Sequence, residues 1–312
     1  MPRTLRRLLL LAFASLGCGR TAEEAPTGAH GDAGPTVPPH APAIFANGST
    51  SCALDSSGIP TCWGDATDGA FHPPGGLALK DLAIGFGQIC GLLGDATLAC
   101  WGSPNKAIAP TPPPAKFSQM ALGNWHACGL DPEGHILCWG KPISKPGGPG
   151  APPGSYKQLT GSRGHYCALR KSDSFPICWG LNSSGQASPP DESLASVSAG
   201  HLMTCGLRPD RTALCWGVPV AVPAGTLRAV VAGDSAVCFV HDDASVSCAQ
   251  VSLAPPGAPI TQPPAGPFAE VAVGNKHACG VRPDGTVECW GDNEYGAATP
   301  PAGFNAGKAP SP

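Results

Sequence analysis

The chain has 312 residues and a net charge of −3, and only 13% of its residues are charged. This balance excludes a general electrostatic affinity for nucleic acid, so no nucleic-acid partner is expected. Glycine and proline are frequent, at 42 and 37 residues, although the apolar share of 42% is ordinary. A turn-rich all-β fold reconciles these values better than disorder does, because many short strands need many turns.

The N-terminus has the pattern of an export signal. Basic residues precede an apolar run over residues 8–16, which is too short to span a bilayer as a helix. The run ends at Ser15-Leu16-Gly17-Cys18 and resembles a bacterial lipoprotein signal, in which the cysteine is lipidated. The alternative is an ordinary signal peptide with Cys18 incidental. We expect residues 1–17 to be the lipoprotein signal peptide and Cys18 to carry a membrane anchor. Gly19 resembles an outer-membrane address, which predicts the outer membrane or surface of a bacterium.

Three further segments follow the signal. Residues 18–42 are rich in proline, glycine and alanine without periodicity, which predicts a disordered tether. Residues 43–307 contain a repeated pattern and form the expected folded domain. Residues 308–312 are expected to be a disordered tail.

The cysteines carry the repeat. Apart from Cys18, fourteen of the fifteen cysteines fall into seven pairs, six separated by ten residues and one by eleven. The pairs recur with a period near 38 residues, which is the signature of a repeat architecture. The pairs are Cys52/Cys62, Cys90/Cys100, Cys128/Cys138, Cys167/Cys178, Cys205/Cys215, Cys238/Cys248 and Cys279/Cys289.

Each pair brackets a predicted β-hairpin. Asp131-Pro132-Glu133-Gly134 and Arg282-Pro283-Asp284-Gly285 have the residues expected at a hairpin tip. Two cysteines ten residues apart then face each other on adjacent strands, within reach of a disulfide. Export to an oxidising compartment favours seven such disulfides. A structural zinc site is the rival interpretation, but it favours Cys-x-x-Cys spacing and four convergent ligands, so no metal is expected.

A tryptophan follows the second cysteine in six units, and the residue after the first cysteine is then small. On the predicted register Ala127 faces Trp139, with Gly129 on the diagonal, so we expect the small residue to leave room for the indole. In the sixth unit both change, to Phe239 and Ala249, as close packing requires. The tryptophans are Trp63, Trp101, Trp139, Trp179, Trp216 and Trp290; the small residues are Ala53, Gly91, Gly129, Ala168, Gly206 and Gly280.

An entry strand is predicted before each hairpin, as at 117–122, 194–199 and 268–273. The segment after Trp-Gly, clearest at 180–186, is predicted to supply a fourth strand. Four strands in each repeat of about 38 residues make a propeller blade, so the predicted fold is an all-β, seven-bladed β-propeller. Residues 300–307 resemble another entry strand, which predicts that the C-terminus closes the ring against the first blade.

The repeat resembles the regulator of chromosome condensation family over residues 43–307. The family unit runs Gly-x-x-His-[Ser/Thr/Ala]-x-Ala-Leu, then Asp-Gly, then Trp-Gly-x-Asn-x-x-Gly-Gln. The Cys-Trp-Gly variant is similar to secreted bacterial members and to plant crinkly-type receptor ectodomains. The matches include Gly123, His126, Gly134, Trp139, Gly140, His165, Ala168, Leu169, Trp179, Gly180, Asn182, Gly185, Gln186, Gly274, His277, Asp284, Gly285, Trp290, Gly291, Asn293 and Gly296.

This resemblance implies a seven-bladed propeller but not a single function, since members include a nucleotide exchange factor for a nuclear GTPase, a secreted β-lactamase inhibitor and receptor ectodomains. The inserted wedge on which the exchange activity depends has no counterpart in this sequence. Fold alone does not assign a role.

Three kinds of residue are candidates for chemistry or binding. His126, His165 and His277 share one repeat position and either converge on a metal or bond between blades; we favour the second. Acidic residues at hairpin tips are explained by turn chemistry more simply than by catalysis. Trp125 lies outside the repeated tryptophan position and is either an exposed binding residue or packed between blades. The acidic tips are Asp131/Glu133, Asp242/Asp243 and Asp284.

These observations predict a non-enzymatic, monomeric binding or scaffolding propeller at the cell surface, with a protein or polysaccharide partner and no cofactor. One alternative is a secreted hydrolase inhibitor. The other is an enzyme, a hydrolase or lyase, with its site in the channel mouth. The sequence contains none of the nucleophile-elbow, phosphate-loop or His-Glu-x-x-His motifs.

Overall fold

A computed structural model describes residues 44–65, 72–102, 111–140, 150–251 and 259–307. The predicted signal peptide, Cys18 and the tether lie outside the described residues. Within these ranges the chain forms seven antiparallel sheets of three strands each, and every sheet uses three consecutive strands. Each sheet is one blade and corresponds to one cysteine pair. The fold is therefore all-β and built from seven repeats, as predicted.

The blades follow one another in chain order. Blade 1 is β1 Ile44–Asn47, β2 Thr50–Leu54 and β3 Pro60–Gly64; blade 2 is β4 Leu79–Ile84, β5 Gln88–Leu93 and β6 Leu98–Gly102; blade 3 is β7 Gln119–Leu122, β8 His126–Leu130 and β9 Ile136–Gly140; blade 4 is β10 Tyr156–Ser162, β11 His165–Arg170 and β12 Pro176–Gly180; blade 5 is β13 Ser196–Ala199, β14 Met203–Leu207 and β15 Ala213–Gly217; blade 6 is β16 Leu227–Ala232, β17 Ala236–His241 and β18 Val246–Gln250; blade 7 is β19 Glu270–Val273, β20 His277–Val281 and β21 Val287–Gly291. A 3-10 turn, Pro259–Thr261, precedes blade 7.

The first strand of each blade lies innermost. Each of these inner strands contacts the inner strand of the next blade, and β19 contacts β1, which closes a ring. All seven inner strands line one central channel with a cavity of about 290 Å³. Ring closure leaves no inner strand without a neighbouring blade, which protects the strand edges from pairing with other chains.

The seven predicted disulfides are present, one in each blade. Each pair is directly opposite across the second and third strands, with Cα atoms 4.0 to 4.1 Å apart. This short spacing belongs to the closely spaced residue pairs of an antiparallel ladder. The prediction of one hairpin disulfide for each blade is confirmed. The bonds are Cys52–Cys62, Cys90–Cys100, Cys128–Cys138, Cys167–Cys178, Cys205–Cys215, Cys238–Cys248 and Cys279–Cys289.

The two cysteines of each disulfide differ in burial, a difference that their spacing alone does not predict. The first cysteine is fully buried, because it lies on the middle strand and packs against a neighbouring blade. The second cysteine is only partly buried, because the third strand is the outer edge of the blade. The disulfide therefore fastens the edge strand to the core of its blade. The partly buried cysteines are Cys62, Cys100, Cys138, Cys178, Cys215, Cys248 and Cys289.

The prediction of a fourth strand is wrong: within the described ranges, each blade has three strands. After Trp179-Gly180 the chain turns, because the Asn182 side-chain oxygen accepts the backbone N–H of Ala187 at 2.9 Å. A backbone bound to a side chain in this way is unavailable to a strand ladder. The carbonyl of Gln186 instead accepts the indole N–H of Trp216 in the next blade at 2.9 Å. The segment therefore covers the junction between two blades.

A repeated backbone bond links each blade to the next. At the tip of each cysteine hairpin, one residue has a positive φ, and its carbonyl accepts a backbone N–H from the next blade. The donor is a buried residue at or before the next inner strand, and we call this residue the entry anchor. In blade 3, for example, Phe117 donates to Ala96 at 2.8 Å. The seven anchor-to-tip pairs are Leu79 to Gly58, Phe117 to Ala96, Tyr156 to Gly134, Leu194 to Ser174, Leu227 to Arg211, Phe268 to Ala244 and Ala306 to Gly285.

The entry anchor, and not the indole, occupies the space beside the small residue after the first cysteine. A Cβ added to Gly129 would lie 2.3 Å from the Phe117 ring, so the predicted occupant of this space was wrong. Trp139 packs against Phe117, with ring centroids 5.6 Å apart. The register itself is confirmed, since Ala127 lies opposite Trp139. The small residues are therefore explained by the entry anchor of the preceding segment, whose side chain fills the space in front of them.

The last anchor shows how the ring is closed. Ala306 donates to Gly285 of blade 7 at 3.0 Å, and Phe304 packs on Trp63 of blade 1 with ring centroids 6.3 Å apart. Blade 1 thus receives its entry anchor from the C-terminal end of the domain. This arrangement confirms the prediction that residues 300–307 close the ring.

Polar side chains bridge neighbouring inner strands across the blade junctions. The side-chain oxygen of Gln119 accepts the N–H of Leu159 at 2.9 Å, and that of Gln158 accepts the N–H of Val197 at 3.1 Å. Asp81 occupies the same register position in blade 2, but its carboxylate accepts the N–H of its own neighbour Leu82. Burial raises the pKa of Asp81 to about 6. The charged form is therefore disfavoured in the folded state.

We predict that Asp81→Gln stabilises the protein at neutral pH. A carboxyl pKa that is higher in the fold than in the unfolded chain destabilises the fold above pH 6, and this penalty disappears below about pH 4. Removing the charge should raise the free energy of unfolding by up to about 2 kcal/mol at pH 7.5, with convergence to wild type at pH 4. Denaturant unfolding at the two pH values measures the effect. Asp81→Asn is the control that removes the charge without the longer reach of Gln119. A gain that is equal at both pH values would contradict the electrostatic cause.

Candidate functional site

One face of the propeller is built from the turns that join the first and second strands of the blades. We call it the inner-hairpin face, and it also includes the residues that follow each Trp-Gly. Its turns are bonded to one another between blades: Asn124 donates to the carbonyl of Arg163 at 2.9 Å, and Asn275 donates to the carbonyl of Gly48 at 2.8 Å. These bonds make the face a rigid platform on which variable side chains are displayed.

Glycine at the start of these turns permits their close approach. A Cβ on Gly200 would lie 2.3 Å from the carbonyl oxygen of Gly233, and a Cβ on Gly233 would lie 2.5 Å from that of Gly274. The neighbouring turns could not bond at these distances with a side chain between them. The residue after the glycine is free to vary between blades.

The three histidines bond between blades. His126 Nδ1 lies 2.7 Å from the hydroxyl of Tyr166, His165 Nε2 lies 2.7 Å from that of Thr204, and His277 Nε2 lies 2.7 Å from that of Ser51. Burial lowers the pKa of each histidine to about 4, so these rings are neutral at pH 7. Each partner belongs to the following blade and directly precedes its first cysteine, and blade 7 bonds to blade 1. The interpretation of these histidines as inter-blade hydrogen-bonding residues is confirmed.

An ion pair lies at the channel mouth on the inner-hairpin face. Arg163 of blade 4 donates through Nε and Nη2 to one carboxylate oxygen of Asp234 in blade 6, at 3.0 and 2.7 Å. The pair passes over blade 5, whose turn carries His201. Burial and the charge of Arg163 lower the pKa of His201. The carboxylate is almost fully buried and is neutralised by the guanidinium. We therefore interpret the pair as a structural link between blades 4 and 6.

Three exposed apolar side chains lie on the inner-hairpin face, in consecutive blades. Trp125 is 46% exposed, in the turn next to the one that carries the exposed Phe86. The two turns touch, since a Cβ on Gly85 would lie 2.9 Å from the carbonyl oxygen of Gly123. Leu181, also exposed, follows Trp-Gly in blade 4 and donates its N–H to Gly164 at 2.7 Å. We call Phe86, Trp125 and Leu181 the apolar arc; it crosses blades 2, 3 and 4.

The disulfide cysteines belong to the framework of the blades and not to the candidate site. Their sulfurs are bonded in pairs, so they are not available as metal ligands or nucleophiles. Even the partly buried member of each pair lies on an outer strand, away from the inner strands that line the channel. The sequence singled out these residues correctly as disulfides, but they mark the architecture and do not locate a binding surface. Examples are Cys62 on β3, Cys215 on β15, Cys248 on β18 and Cys289 on β21.

The opposite face carries the tips of the cysteine hairpins. There Asp131 accepts the N–H groups of Gly134 and His135, and Asp284 accepts the N–H of Thr286. These bonds lower the pKa values of both carboxyls. The acidic tips therefore serve the turns, as expected. Among the described residues, no three histidine, cysteine or acidic side chains are grouped as metal ligands.

The fold and this site define a class: a propeller of three-stranded blades, each held by its own disulfide, with a rigid face that displays variable turns. Residues 117–142 and 268–297, in blades 3 and 7, match the regulator of chromosome condensation (RCC1) repeat. Blades 3 and 7 therefore carry RCC1-type repeats.

Solved structures with the same fold include extracellular receptor domains. The crinkly ectodomain of the Arabidopsis thaliana receptor kinase ACR4 is 27% identical with a TM-score of 0.68, covering 80% of this chain and 94% of that one. The ectodomain of the Physcomitrella patens receptor kinase CR4 is 24% identical with a TM-score of 0.66, covering 80% and 72%. Human WBSCR16 is 13% identical with a TM-score of 0.58, covering 77% and 80%.

Sequence reasoning singled out Trp125 and missed the rest of this face. Arg163, His201 and Asp234 all lie four residues before the first cysteine of their unit, and so does Phe86. Aligning the units on their cysteines shows this position to vary while the residue before it is glycine in five of the seven units, a signal that would have located the face. Within the described part of the chain, no helix is long and apolar enough to span a membrane.

Proposed function

We propose that this chain is a non-enzymatic binding propeller that recognises a protein partner through the apolar arc of its inner-hairpin face. The observation that carries the proposal is the exposure of Phe86, Trp125 and Leu181 on one face of three consecutive blades. Exposed tryptophan and other large apolar side chains on a rigid surface are typical of the centres of protein interfaces.

The surroundings of the arc support binding and not catalysis. Two titratable groups at the channel mouth are engaged with each other, since Arg163 donates from two of its nitrogens to Asp234. The turns are fixed by backbone bonds between blades, so little conformational entropy is lost when a partner docks. The similarity to receptor-kinase ectodomains supports the same kind of role, because those domains are also extracellular propellers.

The proposed setting is the surface of a bacterium. Seven disulfides suit an oxidising compartment outside the cytoplasm. Lipid on Cys18 would hold the propeller at the outer membrane through the segment 18–42. The protein is proposed to act as a monomer, since a closed ring needs no second copy to complete its sheets.

Substitution of the central tryptophan tests the proposal. Affinity capture from the native cell surface with the soluble fragment beginning at residue 40 would first identify partners. We expect Trp125→Ala to weaken binding of a captured protein about 30-fold, because truncating a central aromatic residue of an interface removes about 2 kcal/mol. Isothermal titration calorimetry measures the change.

Leu137→Ala is the matched control, because Leu137 is about as exposed but lies in the outer strand of blade 3. This variant should bind as wild type does. Equal binding by Trp125→Ala and wild type would overturn the assignment of the arc. Recovery of no partner, together with hydrolytic activity in a substrate screen, would favour an enzyme instead.

A further inference from the structure

A polar cleft lies on the inner-hairpin face where blade 7 meets blade 1. We call it the seam cleft; it has a volume of about 230 Å³. Its lining includes Tyr295, which is 50% exposed, together with Asp292 and Glu294 from the same loop. Lys276 of blade 7 and Ser49 of blade 1 also line it. We propose that the seam cleft binds one ring of a neutral saccharide, a site separate from the apolar arc.

The charges of the cleft select against ionic ligands. The ammonium group of Lys276 lies 3.8 Å from a carboxylate oxygen of Asp292, and Glu294 adds a second carboxylate. A cationic ligand would have to compete with Lys276 for the Asp292 carboxylate, and an anionic ligand would meet two carboxylates. His277 on the floor is neutral at pH 7 because burial lowers its pKa to about 4. A neutral ligand meets neither repulsion.

The hydrogen-bonding groups of the cleft match hydroxyl groups. Lys276, Asn275 and Ser49 offer donors, whereas Asp292 and Glu294 offer acceptors. A sugar hydroxyl both donates and accepts, so neighbouring hydroxyls on one ring can use both kinds of group. The cavity is smaller than the roughly 300–1,000 Å³ that encloses a drug-sized ligand, and it therefore suits a single ring.

The ring of Tyr295 completes the site. An aromatic side chain with a polar tip offers an apolar surface to the C–H groups of a sugar and a hydroxyl to its polar edge. One ring bound in an open cleft gains little affinity by itself, so a polymer presenting many rings is the ligand form that such a site favours.

The loop of blade 4 shows that these side chains are not needed for the fold. In blade 4, Asn182 accepts the N–H of Ala187 and donates to Ser188; in blade 7, Asn293 accepts the N–H of Ala298 and donates to Thr299. Each loop also presents a carbonyl to the tryptophan of the next blade, from Gln186 and from Ala297.

The two loops therefore share one scaffold but carry different side chains. Where blade 7 has Asp292, Glu294 and Tyr295, the same positions of blade 4 hold Leu181, Ser183 and Ser184. Asp292 has a role in its own loop, since its carboxylate accepts the N–H of Glu294 at 2.8 Å. Glu294 and Tyr295 make none of the shared bonds, and blade 4 forms them with Ser183 and Ser184 in their place, so these two side chains are explained by a ligand better than by folding.

The double variant Glu294→Ser, Tyr295→Ser tests the proposal, because it gives blade 7 the residues that blade 4 already tolerates. The purified, oxidised protein is titrated with maltotriose, cellotriose, chitotriose and mannotriose, with binding followed by NMR shifts of the backbone amides at 275–277 and 292–297. We expect at least one trisaccharide to bind the wild type with a Kd of about 0.1–5 mM and the double variant about tenfold more weakly or not at all.

Two controls separate this proposal from the apolar arc. Trp125→Ala should bind the trisaccharide as wild type does, whatever happens to the protein partner. Loss of trisaccharide binding in Trp125→Ala but not in Glu294→Ser, Tyr295→Ser would overturn the seam cleft as the site. Failure of all four trisaccharides to shift the cleft amides at about 20 mM, well above the expected Kd, or tighter binding of N-acetylarginine amide or galacturonate, would overturn a neutral saccharide as the ligand.

Discussion

Ending the chain after Gly303 is expected to lower the free energy of unfolding by about 4 kcal/mol and the midpoint of thermal unfolding by roughly 10 °C. The deletion removes the entry anchor of blade 1. Phe304 no longer covers Trp63, and the bond from Ala306 to the tip carbonyl of Gly285 is lost. The bond from the Asn305 side chain to the Asp284 carbonyl is lost with them. Differential scanning calorimetry measures the change.

The size of this effect follows from the position of the segment. Trp63 is buried in the intact ring, and its neighbours Ile44 and Ala53 belong to the same cluster as Ala306. Deletion exposes the cluster to water and removes the hydrogen bonds that link the C-terminal segment to the hairpin tip of blade 7. A red shift of the total tryptophan fluorescence is expected as well, because Trp63 becomes exposed to water. The control ends after Gly307, which keeps every one of these contacts. If the two truncated chains unfolded at the same temperature, the C-terminal segment would have no part in closing the ring.

The disulfide register could be predicted because it depends on local geometry alone. Strands alternate with a period of two, and a short hairpin tip fixes which residues face each other, so ten residues of separation place Cys128 opposite Cys138. The insertion of one residue between Cys167 and Cys178 changes only the tip. Fourteen cysteines following one rule left little freedom for another fold.

The outer segment of each blade was predicted wrongly because two local preferences compete there. Residues 180–186 could extend a sheet, but the side chain of Asn182 bonds to the backbone and turns the chain away. The result depends on the next blade as well, where Trp216 and Thr204 both donate to the carbonyl of Gln186. Those partners are close only after the ring has formed, so a single unit of sequence does not reveal them.

The candidate site shows the same limit. Trp125 could be singled out as a tryptophan outside the repeat pattern, but its neighbour Phe86 is one blade away in the ring and distant in sequence. The pairing of Arg163 with Asp234 skips a whole blade, and only the curvature of the ring brings these two turns together. The opposite charges of these two residues can be read from the sequence, but nothing indicates that they pair until the propeller fold is assumed.

The largest effect of a single substitution is expected at the small residue of blade 3. Gly129→Phe should destabilise the protein by more than about 3 kcal/mol, because the space in front of Gly129 is already filled by Phe117. Thermal unfolding measures the loss, and Gly129→Ala provides a milder variant if the phenylalanine prevents folding, since even a Cβ would lie 2.3 Å from that ring.

Blade 6 supplies the rescue, because it holds a phenylalanine at this position naturally. There Phe239 packs with the entry anchor Leu227 and with Ala249, where the other blades have tryptophan. The triple variant Phe117→Leu, Gly129→Phe, Trp139→Ala gives blade 3 the same three residues and should recover most of the stability lost by Gly129→Phe. Recovery would show that the anchor, the small residue and the tryptophan share one volume in each blade. A triple variant no more stable than Gly129→Phe would show instead that Gly129 is required by its backbone, whatever packs against it.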